Sequence, residues 1–359
     1  MEPVELNKNV WWIANRSDSL LEVNIYLLCY PHEKGQANIL IDPGPGELLT
    51  VLQKAVRPIT GGLENIHSVL INHQDPDVAP NAAFLQKLNP KCLVVASEDT
   101  WRLIHFLGLK ASRFKAVETY KNHRAVMPGG NRLVFVPSPF CHFRGAMMYY
   151  DVASRILFSG DLFGGLSYTH DLYADERSWE GIKTFHQLYM PSRDALKLAV
   201  SRIRNLDPPP EMIAPQHGSI IRGDLLRDFT DRMYNLDVGL DLLIESEKEE
   251  NYLGAINEIL SELEQEDSSE STARAVAALN KDKSFTNILA VEKNRVSSFK
   301  VDPPIAIKTL LAHLREDGGT DLESLVNLIA LKTLIGRNIP IGDILPQAGG
   351  YQDLPDYFE

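Results

Sequence analysis

Short apolar runs separated by turns fill the first two thirds of the chain. Leu21–Tyr30 and Asn38–Ile41 read as strands, and the second runs into Asp42-Pro-Gly-Pro-Gly46, a cluster that stops any regular element. Two periods then alternate. Glu47–Ala55, Ala79–Leu88 and Thr100–Leu107 carry helical spacing, whereas Ile66–Ile71 and Cys92–Ala96 are compact runs suited to buried strands. Arg132–Val136, Met147–Asp151, Arg155–Phe158 and the short Met212–Ala214 add strands, and Ser192–Ile203 adds a helix. The mixture predicts an α/β or α+β fold in which several strands end in polar residues.

Beyond Arg222 the pattern changes. Leu225–Leu243 and Tyr252–Leu263 have helical spacing, and few strand candidates remain. Thr320-Asp-Leu-Glu323 has the form of a capping box, with Leu322, Leu325, Val326 and Ile329 as the apolar stripe behind it. Between Glu245 and Glu270 ten carboxylates face one base, Lys248, and Glu264–Thr272 has no apolar residue, so it reads as a solvated linker. Three regions are expected: 1–224, then 225–272 with helices and the acidic linker, then a helical 273–359.

Composition narrows the function classes. With 359 residues, 44% of them hydrophobic and 23% charged, the chain can bury a sizeable core. No window approaches 18 uninterrupted apolar residues, and Met1-Glu2-Pro3-Val4-Glu5 lacks the basic and apolar regions of a signal peptide, so a cytoplasmic protein without a membrane partner is expected. A net charge of −12 argues against a nucleic-acid partner. Cys29, Cys92 and Cys141 form no CxxC pair; they read as reduced, buried thiols and not as a disulfide framework or a zinc site.

The chemistry sits at the ends of predicted strands. Ile71-Asn-His73-Gln-Asp75-Pro-Asp77-Val78 places a His and two carboxylates at i, i+2 and i+4, a spacing that turns alternate side chains of an extended segment toward one cavity. Three more strand ends carry a His or Asp: Ser138-Pro-Phe-Cys-His142, Ile156-Leu-Phe-Ser-Gly-Asp161 and Ile213-Ala-Pro-Gln-His217-Gly218. Together they offer His73, His142 and His217 with Asp75, Asp77 and Asp161, enough for two ions if one carboxylate bridges. Carboxylate-rich sets favour iron or manganese, with zinc as an occasional substitute. Cys141 alternates away from His142 in an extended chain and is not counted as a ligand. Tyr168 and His170 read more simply as a surface loop than as groups orienting a bound ligand, and Trp11 and Trp12 read as packing residues.

His73-x-Asp75-x-Asp77, His142, Phe158-Ser-Gly-Asp161 and Ala214-Pro-Gln-His217-Gly218, in that order, resemble the metallo-β-lactamase superfamily, and the Asp42-Pro-Gly44 turn fits it too. The carboxylate at Asp75 resembles the flavodiiron branch, where the zinc hydrolases have a histidine, and in particular its flavin-free oxygen-binding members. The resemblance covers about Val10 to Arg222. It implies an αββα sandwich with a mainly helical C-terminal extension. It also implies two iron ions, Fe2+ or Fe3+, with His73, Asp75 and His142 on one, Asp77 and His217 on the other, and Asp161 bridging. Val78 departs from the pattern, standing where the family usually has a second-iron histidine.

After Arg222 no strand leads into a phosphate-binding loop, so no FMN domain is expected. Two ferric ions against three carboxylates leave +3, which a peroxide and a hydroxide together would neutralise. The resemblance and this charge count imply a non-haem diiron protein that binds O2, as a peroxo adduct, and acts as an oxygen sensor or oxygen-binding protein with a signalling partner. Two alternatives are an O2 or NO reductase fed by a separate flavoprotein and a metal-dependent hydrolase. A homo-oligomer is also expected.

Overall fold

The computed structural model of the chain describes residues 2–14, 19–33, 35–167, 170–266, 283–292, 295–316, 319–337, 339–342 and 344–345. They divide into two compact units, Met1–Leu242 and Leu243–Glu359.

The first unit is built on two sheets. Seven strands run in spatial order through the first: β1 (Val4–Asn7), β2 (Val10–Trp12), β3 (Tyr26–His32), β4 (Gly35–Ile41), β5 (Ser68–Leu70), β6 (Leu93–Ala96) and β7 (Phe114–Ala116). β1 to β4 pair as antiparallel neighbours, and β4 to β7 are parallel. The parallel pairs need crossovers, which α1 (Leu49–Thr60), α2 (Pro80–Leu88) and α3 (Glu98–Ile104) supply. The second sheet contains β8 (Arg124–Val126), β9 (Arg132–Pro137), β10 (Met147–Asp151), β11 (Ile156–Gly160), β12 (Met212–Pro215) and β13 (Ile221–Arg222), ordered β13-β12-β11-β10-β9-β8.

Strand alternation sets the layers. Phe135, Met147, Tyr149, Ile156, Phe158 and Ala214 share a core with the first sheet and with Leu52, Val56, Ala82 and Leu85 of its helices. Their neighbours Val136, Met148, Tyr150, Leu157 and Ile213 turn to the opposite face. There they meet α4 (Ser178–Tyr189), α5 (Arg193–Arg204) and α6 (Asp224–Tyr234) through Ile182, Phe185, Leu196, Val200 and Phe229. Helices therefore flank two face-to-face sheets, the α/β sandwich expected from the sequence. Several elements escaped the sequence pattern: β1, β2, β7, β8, β13 and α4.

The helical reading of Leu225–Leu243 is corrected. α6 stops at Tyr234, and a new helix, α7 (Leu240–Glu266), begins after Gly239. Gly239 has φ +49°, and a Cβ there would lie 2.4 Å from the Met190 carbonyl oxygen, so the backbone must turn without a side chain. The Leu240 amide then donates to the Pro191 carbonyl at 2.9 Å.

In the second unit α7 runs through the acidic stretch to Glu266, so Glu264–Glu266 are helical and not linker; the rest of that proposed linker lies outside the described residues. Tyr252, Ile256, Ile259, Leu260 and Leu263 form one side of its core. Leu310, Leu311 and Leu314 of the helix Pro303–Glu316, and Val326, Ile329 and Leu334 of the helix Gly319–Gly336, form the other. Gly319–Gly336 is helical, which places Thr320 within a helix, and the Thr320 and Leu322 side chains of the proposed capping box lie outside the described residues. A hairpin, β14 (Leu289–Glu292) and β15 (Arg295–Phe299), was not expected. No described helix is long and apolar enough to cross a membrane.

Candidate metal centre

Three of the four motif segments leave the carboxyl ends of strands on one edge of the sandwich. His73 follows β5, Asp161 follows β11 and His217 follows β12; β11 and β12 are parallel, so their polar ends emerge together. His142 sits in the loop that joins β9 to β10. Parallel strands buried on both faces read as continuous apolar runs, which is why each polar terminus stands out in the sequence.

All six candidate donors come together. His73, Asp75, His142 and Asp161 each offer one atom, and these atoms lie within 4.8 Å of one another. Asp75 Oδ2 is 3.0 Å from His142 Nε2 and 3.7 Å from His73 Nε2. Asp161 Oδ2 lies 3.4 Å from His73 Nε2 and 3.2 Å from His142 Nε2. On the other side His217 Nε2 is 3.3 Å from Asp77 Oδ2 and 3.6 Å from Asp161 Oδ1. His73, Asp161 and His217 are buried, while Asp75, Asp77 and His142 remain partly open, so the group has a wall toward the core and a mouth toward solvent.

The electrostatics are those of a site that holds positive charge. Burial pushes the Asp161 carboxyl up, but the facing imidazoles outweigh it and hold the group well below the usual carboxylate range. Asp77 behaves likewise, with burial overcome by its contact to His217. Hydrogen bonds to Asp161 and Asp75 push His142 up to about 10, and the contact with Asp77 raises His217 against its own burial. His73 Nε2 and Asp161 Oδ1 are buried without a hydrogen-bond partner. Such groups are costly unless something coordinates them, and a cation among imidazole and carboxylate donors satisfies both.

Several residues support the donors; Asp42 and Gly160 sit inside motifs read from the sequence, while Tyr149 and His186 carry no such mark. Asp42, at the end of β4, accepts the Asn72 amide at 2.8 Å, and burial pushes its carboxyl up to about 8. Tyr149 donates its hydroxyl to the Ile71 carbonyl at 2.8 Å, tying β10 to the start of the His73 segment. Gly160 has φ +62°, and a Cβ there would lie 2.6 Å from Asn72 Nδ2, so only glycine brings Asp161 in at this angle. His186 of α4 accepts the Phe163 amide at Nε2, 3.0 Å away, while its Nδ1–H donates to Ile182 at 2.7 Å. Those contacts make it a neutral structural histidine behind Asp161.

Other sequence candidates fall outside the donor group. Cys141 directs its Sγ to the Ala195 carbonyl at 3.7 Å, and burial pushes its thiol up to about 12. His170 lies 3.1 Å from Glu22 Oε1, and Tyr168 is outside the described residues. Trp12 is buried and donates Nε1–H to Asn24 Oδ1 at 2.8 Å.

Residues 21–218 match the family model described as ODP family beta lactamase. The chain belongs to the ODP beta-lactamase family. All six candidate donors lie inside the matched span, and the metallo-β-lactamase, flavodiiron-like character read from the sequence holds. The ODP-family unit is 26% identical over 189 residues to diflavin flavoprotein A 1 of Synechocystis, covering 50% of this chain and 31% of the relative. A diflavin flavoprotein A 1 described as putative, from Nostoc, is 25% identical over 197 residues, covering 53% and 32%. The chain thus spans about a third of the length of these curated relatives.

Solved structures give fuller coverage. The chain matches a peroxy diiron species of the chemotaxis sensor ODP with a TM-score of 0.58 and 26% identity, over 68% of this chain and 99% of that one. The apo state of the chemotaxis sensor ODP from T. denticola matches with a TM-score of 0.57 and 26% identity, over 68% and 97%. A mutant flavo di-iron protein from Thermotoga maritima, 21% identical with a TM-score of 0.54 over 65% of this chain and 60% of that one, shares the fold.

Proposed function

We propose that this chain is a non-haem diiron protein that binds O2 and reports its presence to a signalling partner. In this reading His73, Asp75 and His142 hold one iron, Asp77 and His217 hold the other, and Asp161 bridges them. The observation that carries it is the Asp161 carboxylate, whose two buried oxygens face two separate imidazole-carboxylate groups while Oδ1 has no hydrogen-bond partner. Two ferrous ions there would supply the electrons on which O2 binding draws. The residues orient the donors, exclude water on the core side through Phe185, packed 5.4 Å from the His217 ring, and leave a mouth at Asp75 and His142 for a small gas.

A sensing role is favoured over turnover of O2 or NO by the likeness itself: the chemotaxis sensor ODP matches at 26% identity with a TM-score of 0.58, whereas the flavo di-iron protein, at 21%, shares the fold alone. The test is to load metal-free protein anaerobically with ferrous ion, measure iron per chain, and mix with oxygenated buffer. About two irons and a visible charge-transfer band that persists without added reductant are expected. Two irons with no spectral response to O2 overturn the oxygen-binding reading, and zinc taken up to the exclusion of iron overturns the diiron one.

A further inference from the structure

We infer that Asn24 is the positioning residue for the ion on the Asp77–His217 side, an inference that rests on the diiron reading above. Asn24 lies between β2 and β3 and is fully buried. Its amide is oriented at one end, where Oδ1 accepts Nε1–H of Trp12 at 2.8 Å. At the other end Nδ2 donates to the carbonyls of Pro215 at 2.9 Å and Gly218 at 2.8 Å, the residues that flank Gln216 and His217. Its backbone amide donates to the Gln216 carbonyl at 2.6 Å. One side chain thus closes the turn after β12 across 191 residues of sequence.

The consequence falls on the imidazole. Val23 forms an antiparallel bridge with His217, and the Glu22 carbonyl accepts Nδ1–H of His217 at 2.8 Å. In the neutral ring this leaves the Nε2 lone pair directed between Asp77 Oδ2 and Asp161 Oδ1, the arrangement by which an outer hydrogen bond fixes a metal-binding histidine. The His73 side is anchored by other groups, Tyr149 on Ile71 and Asp42 on Asn72. Disturbing Asn24 should therefore loosen one ion and spare the other.

Asn24→Asp is the variant of choice, because it keeps the volume and the acceptor for Trp12 but sets a carboxylate oxygen against two carbonyls. Tyr30→Phe is the control; it removes an equally buried bond on β3, from the Tyr30 hydroxyl to Asp151 Oδ1 at 2.9 Å. Two readouts are taken on the full chain: anaerobic titration of metal-free protein with ferrous ion alone, and imidazole nitrogen NMR of the metal-free protein. Asn24→Asp should weaken the second ferrous ion roughly 10–100-fold, leave the first within about threefold, and move the His217 nitrogen signals. Tyr30→Phe should do neither. Equal loss of both ions, or an unchanged second ion, overturns the inference. Should the wild type take up no second ferrous ion, the diiron reading falls and the NMR decides this one alone: unmoved His217 signals in Asn24→Asp overturn it, and moved ones support it.

Discussion

Asp161 and His217 meet across the middle of the donor group: Oδ1 of the carboxylate is 3.6 Å from Nε2 of the imidazole, while Oδ2 of the same carboxylate serves His73 and His142. A single buried side chain thereby joins two half-sites that otherwise have separate donors. Replacing it by Ala removes a contact from each half and leaves three imidazoles facing only two carboxylates. Asp161→Ala is expected to lower ferrous uptake from about two ions per chain to near none. His217→Ala should retain about one. Elemental analysis after anaerobic loading distinguishes the two, and an Asp161→Ala protein that keeps one ion would make Asp161 a terminal ligand.

Val78 offers the reciprocal test. It stands one residue beyond Asp77, its amide donates to the Asp75 carbonyl at 3.0 Å, and it is buried with the first core. Introducing an imidazole there should tighten the second ferrous ion, while the larger polar ring costs about 1–3 kcal/mol of stability in the metal-free protein. Ferrous titration and thermal unfolding of Val78→His read the two effects separately. Lower stability with no gain in affinity would mean that position 78 looks into the core and not toward His217.

The candidate donors were legible because chemistry and fold coincide locally: Asp161 directly follows the buried strand β11, His217 stands two residues past the end of β12, and the His73 segment follows β5 at once. Supporting residues outside the motifs were not. Asn24 is one amide in an apolar run, and its meaning lies in carbonyls 191 and 194 positions away. His186 looks like any helical histidine until the Phe163 amide is seen against it. The same holds for missed elements. β7, β8 and β13 are two or three residues long, too short for a period to register, and α4 carries Gly181 among its buried positions where an apolar side chain would mark the stripe, because a Cβ there would lie 2.1 Å from the Leu166 carbonyl oxygen. The αββα layering was implied by the family resemblance and not by the periodicity; the structure shows its local cause, since Met147 and Tyr149 face one core and Met148 and Tyr150 the other.

Metal removal should be visible in stability. In the metal-free protein Asp75, Asp77 and Asp161 converge with only imidazoles to balance them, whereas a bound cation stabilises the folded form by mass action. Ferrous ion at about 100 times its dissociation constant adds about 2.7 kcal/mol. For a unit of this size that corresponds to roughly 5–10 °C in midpoint. Anaerobic calorimetry before and after a chelator checks it; a transition that does not move would mean the donors bind no ferrous ion at that concentration.

His186 makes a prediction about acid. The ring is fully buried, and burial pushes its pKa down to about 4, below the value of about 6.5 that an unfolded chain shows. Between those values the unfolded state takes up a proton that the folded state refuses. The contribution of His186 to stability is therefore complete above pH 6.5 and is lost as pH falls toward 4, by about 3 kcal/mol at most. Gln in its place keeps an acceptor near the Phe163 amide and cannot be protonated. The His186→Gln protein should be less stable than the wild type at pH 7.5, because the Nδ1 bond to Ile182 is gone, and the gap should narrow steadily as pH falls from 6.5 to 4. Urea unfolding of both proteins in chelator, at half-unit steps across that window, measures the gap directly and cancels the titration of groups the two share. A gap that stays constant would show that His186 is protonated alike in the folded and unfolded chains, and that its lock on the Asp161 loop does not depend on a neutral ring.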